Sequence, residues 1–246
     1  MEQILEWAKD AKQDGYKFEG SKERRNHINK LEKWLRLEYC RPTQKYIDLP
    51  RGPIEDPETI GVTCFGFKQM LLSLLNDTSI TGNLNNLNVN PNDPFAKYSS
   101  PDGYIDCVNA GSWYRKTYRK CIQDPTKDFL CPIIFACDET HLSLSKSSIC
   151  PLVFSLSIFN QEIRNQYTSW RPLGYVYNLD NIQSTNEKSK YGADGNSERL
   201  HAIFDVILQT LVNAQNSDNH QTSEDIAEFS LNNITVTLGG VTKTVD

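Results

Sequence analysis

The sequence predicts a mixed α+β protein, an α/β fold in the broad sense, with a helical N-terminal region followed by elements in the order β-β-β-α-β. Three apolar runs of strand length follow one another with short connections: Cys131–Cys137, Ser148–Phe159 and Trp170–Tyr177. Apolar residues then recur at helical spacing over residues 200–211. Alternating apolar residues over 234–238 lead into Gly239-Gly240, a two-residue turn that predicts a closing hairpin.

The N-terminal region is predicted to contain two helices, over residues 2–13 and from a cap at Ser21 to about residue 39. Residues 40–60 contain four prolines, which predict an extended connector because proline lacks a backbone donor and interrupts helices. We therefore predict three domains: a helical region with this connector over residues 1–60, a helical and loop region over 61–127, and the main domain over 128–246.

The middle region is predicted to hold two helices on either side of a long loop. An apolar stripe favours a helix over residues 64–76, and the turn-rich residues 77–103 favour a loop fixed by its own aromatic side chains. The second helix covers residues 110–124. Its spacing places four side chains on the inward face: Trp113, Tyr114, Tyr118 and Cys121.

Two of these helices carry basic faces. The cations that we single out are Arg24, Arg25 and Lys33 in the N-terminal helix, and Arg115, Lys116, Arg119 and Lys120 in the later one. A basic helix face is either solvated or in contact with phosphates. The whole chain carries a net charge of −5 and a pI near 5.5, which argues against a stand-alone DNA-binding module. Any DNA contact must therefore come from a local patch.

The seven cysteines indicate an intracellular protein with reduced thiols. Their number is odd, no secretory leader is recognisable, and no zinc-type spacing is present. Cys131 and Cys137 are six residues apart, so they would lie on the same face of a strand, and we predict that both serve in packing. No run of eighteen apolar residues occurs, so we predict that the chain neither crosses a membrane nor is secreted.

An acid, Asp138, closes the first predicted strand. The apolar run before it suggests a central strand buried on both faces, where a carboxylate must be paired or hold a metal. The alternative is that Asp138 is simply the first polar residue of an exposed turn. The sequence alone leaves both open.

The motifs around these strands resemble a known family. They occur in one order: Asn90-Pro91-x-Asp93-Pro94-Phe95, Ser100-Pro101-Asp102-Gly103-Tyr104, Asp128-Phe129-Leu130-Cys131-Pro132-Ile133-Ile134, Asp138-x-Thr140-His141, Pro151-Leu152-Val153-Phe154, Leu156-x-Ile158-Phe159-Asn160, Ile163-Arg164-Asn165 and Ser169-Trp170-Arg171-Pro172-Leu173-Gly174-Tyr175. Together they are similar to the start of the catalytic domain of Plavaka-type transposases, relatives of the CACTA cut-and-paste elements. The resemblance is good over about residues 65–177.

The resemblance implies an incomplete RNase H-like fold over residues 128–246, with Asp138 as the first catalytic acid and metal ligand. In such transposases three carboxylates hold two divalent ions, Mg²⁺ or Mn²⁺, for phosphodiester chemistry. Thr140 and His141 would lie beside the site, and Arg164 and Arg171 would neutralise phosphates or form internal ion pairs. The implied partner is transposon DNA, and the implied location is the nucleus.

The sequence departs from the family at two points. Glu139 stands where many relatives have lysine, and the second and third acids are expected beyond the last strand. Glu224, Asp225 and Glu228 are possible substitutes, although no motif supports them. We therefore expect a transposase-derived protein that does not cut DNA as given, and whose incomplete sheet exposes an edge that favours self-association. The alternative is a non-catalytic remnant that binds DNA or protein. An unrelated hydrolase would need a G-x-S-x-G motif, which the sequence lacks.

Overall fold

An antiparallel sheet forms the centre of the computed structural model, which describes residues 42–49, 58–98, 107–138, 140–141, 148–177, 188–216 and 221–245. The strands are β1 (Thr43–Leu49), β2 (Glu58–Cys64), β3 (Ile133–Cys137), β4 (Thr140–His141), β5 (Ser148–Leu156) and β6 (Arg171–Tyr177). They lie in the order β1-β2-β6-β5-β3, and β4 pairs with β5. The helices predicted before residue 40, with Arg24, Arg25 and Lys33, lie outside the described residues.

The remaining elements are mostly helices. They are α1 (Phe67–Leu75), α2 (Thr78–Thr81), α3 (Ser112–Cys121), α4 (Gln161–Arg164), α5 (Lys188–Gln215) and α6 (Ser223–Phe229). A separate two-stranded sheet consists of β7 (Ile234–Leu238) and β8 (Val241–Val245). The α+β class is therefore confirmed. In the part of the chain that the structure describes, no helix is both long and apolar enough to span a membrane.

The three predicted strands of the main domain are present as the antiparallel neighbours β3, β5 and β6. The prediction that the first of them is central is wrong for the described residues, in which β3 pairs only with β5 and forms an edge. Phe135 and Cys137 are exposed on it. An apolar run shows that a segment has strand character but does not show how many neighbours the strand has.

Two paired strands, β1 and β2, lie where the sequence predicted an extended connector over residues 40–60. β1 pairs with β2 along seven residues of each strand, and β2 then meets β6. Ile60, Val62 and Cys64 are buried on one side of β2, which is the alternation of a half-buried strand. We predicted a connector from the four prolines of this stretch and did not interpret the alternation as a strand. β2 spans residue 60, our first predicted boundary; the division into three domains stays a prediction.

The main core lies between the sheet and the helices α1 and α5. Phe67 of α1 packs against Phe154 of β5 with ring centroids 5.5 Å apart. Ile203 and Ile207 of α5 are fully buried. The backbone N–H of Phe67 donates to the Thr210 hydroxyl of α5 at 3.1 Å, so a polar contact also joins the two helices.

The joint between β2 and β6 depends on a glycine. Among the described residues, Cys64 and Gly174 are the one pair that joins these strands, and the Phe65 N–H donates to the Leu173 carbonyl at 2.8 Å. A Cβ atom at position 174 would lie 2.8 Å from the Thr63 carbonyl oxygen and equally close to two carbon atoms of Ile207. Glycine therefore allows a strand on one side and a helix on the other to approach this backbone closely.

The β7–β8 hairpin is fixed to the end of α2 and to the loop before β3. Its turn, Gly239-Gly240, has φ values of 57° and 81°, as a tight hairpin turn of this kind requires, and the Gly239 N–H donates to the Thr81 carbonyl at 2.6 Å. Lys243 of β8 donates to the carbonyls of Pro125 and Asp128, both at 2.9 Å. Its ammonium also lies 5.4 Å from the centroid of the Phe95 ring, a cation–π distance.

Candidate functional site

Asp138 directly follows β3 and is exposed. The sequence left two interpretations open, a buried acid that is paired or holds a metal and the first polar residue of an exposed turn. The exposure of Asp138 agrees with the second. The backbones of Thr140 and His141 form β4, whose pairing with β5 continues the register that joins Cys137 to Leu152. The strand thus places all three predicted residues at one end of the sheet. The side chains of Thr140 and His141 lie outside the described residues.

No group of three or more histidine, cysteine or carboxylate side chains that could hold a metal ion exists among the described residues. Asp225, one of the possible substitute acids, serves in helix capping: it accepts from the N–H and the hydroxyl of Thr222 and forms a capping box at the start of α6. Glu224 and Glu228 are exposed on the same helix. Asp138 therefore contributes one carboxylate, and the described residues do not by themselves fit a two-metal site.

Arg171 begins β6 and makes internal contacts. Its guanidinium bridges to the Asp77 carboxylate at 3.1 Å and donates to the Ser73 hydroxyl at 3.0 Å and the Thr168 carbonyl at 2.6 Å. The side chains of Arg171 and Asp77 are only 19% and 29% exposed, so the pair is shielded from water. These contacts tie α1, the segment before β6 and the sheet together. They favour the internal ion pair, while a phosphate contact from Arg171 stays a prediction.

Replacing Arg171 with methionine is expected to lower the free energy of unfolding by about 1–3 kcal/mol, because it removes the positive charge and the donor that face one oxygen of the partly buried Asp77 carboxylate and the Ser73 hydroxyl. The double variant Arg171→Met/Asp77→Asn should lose less than the sum of the two single variants, since both changes break the same pair. Urea unfolding of the four proteins measures this coupling. Strict additivity would contradict the assigned bridge.

Arg164 ends the short helix α4, and its side chain is half-buried. Its Nε is buried and has no hydrogen-bond partner among the described residues. Its carbonyl accepts from the Trp170 indole at 2.7 Å, which fixes the loop between β5 and β6. This arginine therefore has a defined backbone position, and the role of its charge stays a prediction.

The basic helix predicted over residues 110–124 is α3, and its cations face outward. All four cations are exposed on its solvent side: Arg115, Lys116, Arg119 and Lys120. Of the residues predicted to face inward, Tyr114 is buried, and this burial is the main reason that the pKa of its phenol rises to about 12. Trp113 and Cys121 were placed wrongly: Trp113 is 55% exposed and Cys121 is exposed. A ten-residue helix that contacts its surroundings along a narrow stripe leaves the flanking positions in solvent.

The cysteines near Asp138 differ from one another. Burial raises the pKa of the Cys131 thiol to about 12, which agrees with a packing role. Cys137 is exposed, and its sulfur lies 2.9 Å from the sulfur of Cys150. Although the residue as a whole is exposed, the pKa of its thiol is raised, first by partial desolvation of the sulfur and then by the hydrogen bond with Cys150 and by the charges of Cys150 and Asp138. The predicted packing role of Cys137 is therefore wrong: the residue is exposed, and its sulfur contacts a second thiol.

The described residues thus define an α+β protein with an exposed acid at the end of an edge strand and a basic helix that leads toward that strand. Compared with models of protein families, residues 57–228 match the model described as Plavaka transposase. The match covers more than half of the chain, and the chain belongs to the Plavaka transposase family. The resemblance seen in the sequence motifs is thereby confirmed. Comparisons with curated proteins and with solved structures find no match.

Proposed function

We propose that this transposase-derived chain binds DNA through the solvent face of α3, next to an incomplete catalytic domain that does not cut DNA by itself. The observation that carries the proposal is the set of four cations on the solvent side of one helix, in a chain with a net charge of −5. Membership of a transposase family indicates DNA as the partner. Because the overall charge repels phosphates, a local basic surface is what such binding requires.

The solvent face of α3 also carries an aromatic side chain. Trp113, Lys116 and Lys120 are separated by three and four residues, so they share one side of the helix. Arg115 and Arg119 flank it. A basic surface with an exposed tryptophan can neutralise phosphates and stack on an unpaired base. We propose that the tryptophan favours single-stranded or frayed DNA over closed duplex.

Asp138 is proposed as the first ligand of a Mg²⁺ or Mn²⁺ ion, which would supply charge neutralisation at a phosphate. One exposed carboxylate is a weak ligand set, and among the described residues it belongs to no group of three or more possible metal ligands. We therefore derive no reaction step at this position. In this proposal Asp138 places a negative charge at the end of β3, and without a bound ion that charge repels DNA phosphates.

An incomplete RNase H-like arrangement is part of the proposal. It is supported by three neighbouring strands, β3, β5 and β6, that pair in antiparallel order and are followed in the chain by the long helix α5, which packs on the sheet. β7 and β8 form a separate sheet. Among the described residues the outer edge of β3 is unpaired, which supports the proposed self-association through strand addition. A nuclear location is proposed from the family.

The proposal is tested by fluorescence anisotropy with labelled duplex and single-stranded oligonucleotides between about 50 and 200 mM salt, the range over which phosphate contacts lose affinity. We expect binding that weakens with salt and is tighter for single strands. In the absence of Mg²⁺, Asp138→Asn should leave the affinity unchanged or raise it slightly, because it removes a negative charge. Absence of binding at low salt would overturn the proposed function. Metal-dependent cleavage that Asp138→Ala abolishes would overturn the claim that the chain does not cut DNA.

A further inference from the structure

Two cysteines form a close pair at the end of the sheet where β3 stops. Cys137 pairs with Leu152, and Cys150 precedes Leu152 by two residues on β5, so period two places both cysteines on the same face of the hairpin. Their sulfur atoms are 2.9 Å apart. Cys137 is exposed and Cys150 is half-buried, so small reagents in solution can reach the pair.

We propose that Cys137 and Cys150 form a redox-sensitive dithiol that closes to a disulfide when a peroxide reacts with it. Nothing in the proposed DNA-binding function requires this, and its test needs no DNA. The inference rests on the sulfur contact, the shared strand face and the exposure of Cys137. Strands already joined by a ladder of backbone hydrogen bonds hold the two sulfurs together, so little ordering is needed for the bond to form.

The chemistry balances with hydrogen peroxide as the oxidant. One thiolate attacks a peroxide oxygen, the O–O bond breaks, and a sulfenic acid and hydroxide form; the hydroxide takes up the proton that the thiol released. The second sulfur then attacks the sulfenic sulfur, the S–O bond breaks, and the thiol proton leaves with the oxygen as water. The two sulfurs are each oxidised by one electron, the peroxide is reduced to two molecules of water, and a thiol reductant reverses the change by exchange.

The disulfide would be a covalent crosslink between β3 and β5 at the end of β3. It closes a ring that runs from Cys137 through β4 to Cys150, and Asp138 lies within that ring directly after Cys137. In a reducing compartment the pair stays open, and no bond between these two sulfurs joins the strands. Oxidation fixes the two strands at the residue that family resemblance marks as the first acid.

The experiment exposes the whole reduced protein to equimolar hydrogen peroxide and maps the products by mass spectrometry. We expect a loss of two hydrogen masses, a crosslinked peptide pair containing Cys137 and Cys150, and full reversal by dithiothreitol. Closing a ring of this size should raise Tm by roughly 5–10 °C. Cys137→Ser should abolish both the crosslink and the shift, whereas Cys121→Ser, at an exposed position on α3, should abolish neither.

Two outcomes would overturn the proposal. One is separate oxidation of Cys137 and Cys150 to sulfinic acids with no crosslinked peptide. The other is crosslinking of Cys137 with Cys121 as readily as with Cys150. Because Cys137 is exposed, serine there is compatible with folding. If Cys150→Ser does not fold, the Cys137→Ser protein therefore still decides the question.

Discussion

Replacing Arg115, Lys116, Arg119 and Lys120 together with alanine is expected to weaken DNA binding about 100-fold at low salt, because each cation that meets a phosphate releases about one counterion. For the same reason the salt dependence should flatten by about one unit of slope for each phosphate that is no longer neutralised. The four side chains lie on the solvent side of α3, and the substitutions leave the buried Tyr114 unchanged. Anisotropy titrations at several salt concentrations measure both the affinity and the slope.

The matched control keeps the charges and changes the side chains: Arg115→Lys, Lys116→Arg, Arg119→Lys and Lys120→Arg in one protein. It should bind within a few-fold of the original chain, because non-specific phosphate contacts depend mainly on charge. Trp113→Ala in the original background should reduce binding to single strands more than to duplex. If the alanine variant keeps both the affinity and the slope while its melting temperature is unchanged, α3 is not the DNA-binding surface.

Gly174→Ala is expected to lower the free energy of unfolding by about 2–4 kcal/mol, a large effect for a single methyl group. The added carbon would lie 2.8 Å from both the Thr63 carbonyl oxygen and Ile207. The Ile207 side chain can move, but the carbonyl belongs to the backbone of β2, beside the one residue pair that joins β2 to β6 among the described residues. The strain must therefore displace a strand. Urea denaturation measures the loss of stability.

Gly66→Ala is the natural comparison. The nearest atoms to a Cβ there belong to the flexible side chain of Gln69, at 3.1 Å, and we expect a change of well under about 1 kcal/mol. Ile207→Ala removes one of the two obstacles at Gly174 and leaves a cavity. The double variant Gly174→Ala/Ile207→Ala should therefore be more stable than additivity of the single effects allows. An additive result would mean that contact with β2 alone accounts for the cost.

The periodicity of the sequence was sufficient to predict β3, β5, β6 and the β7–β8 hairpin, because alternation and a Gly-Gly turn are local signals. The long helix was predicted over residues 200–211, whereas α5 extends from Lys188 to Gln215. Its polar first half lacks the apolar spacing that a pattern argument needs. Local patterns thus identified where the elements are and were less informative about their limits.

Tertiary relations could not be predicted in the same way. Trp113 has the hydrophobicity of a core residue, but whether helix α3 buries that side depends on elements distant in the sequence. The Arg171–Asp77 bridge and the Cys137–Cys150 contact likewise join residues that no local pattern connects. The apolar run before Asp138 was enough to place this acid at the end of a strand, and family resemblance gave it a role, but a metal site needs several ligands, and one residue cannot define it.

The attachments of the β7–β8 hairpin also bear on how the chain folds. Gly239 bonds to Thr81 and Lys243 bonds to Asp128, so these contacts close loops of more than one hundred residues. The Phe67 N–H of α1 likewise bonds to Thr210, a residue more than one hundred positions later in the chain. Long loops must be ordered before such contacts stabilise anything, which slows folding. On the ribosome, α1 would therefore emerge long before its partners exist, and folding of the core has to follow synthesis of α5 and the hairpin.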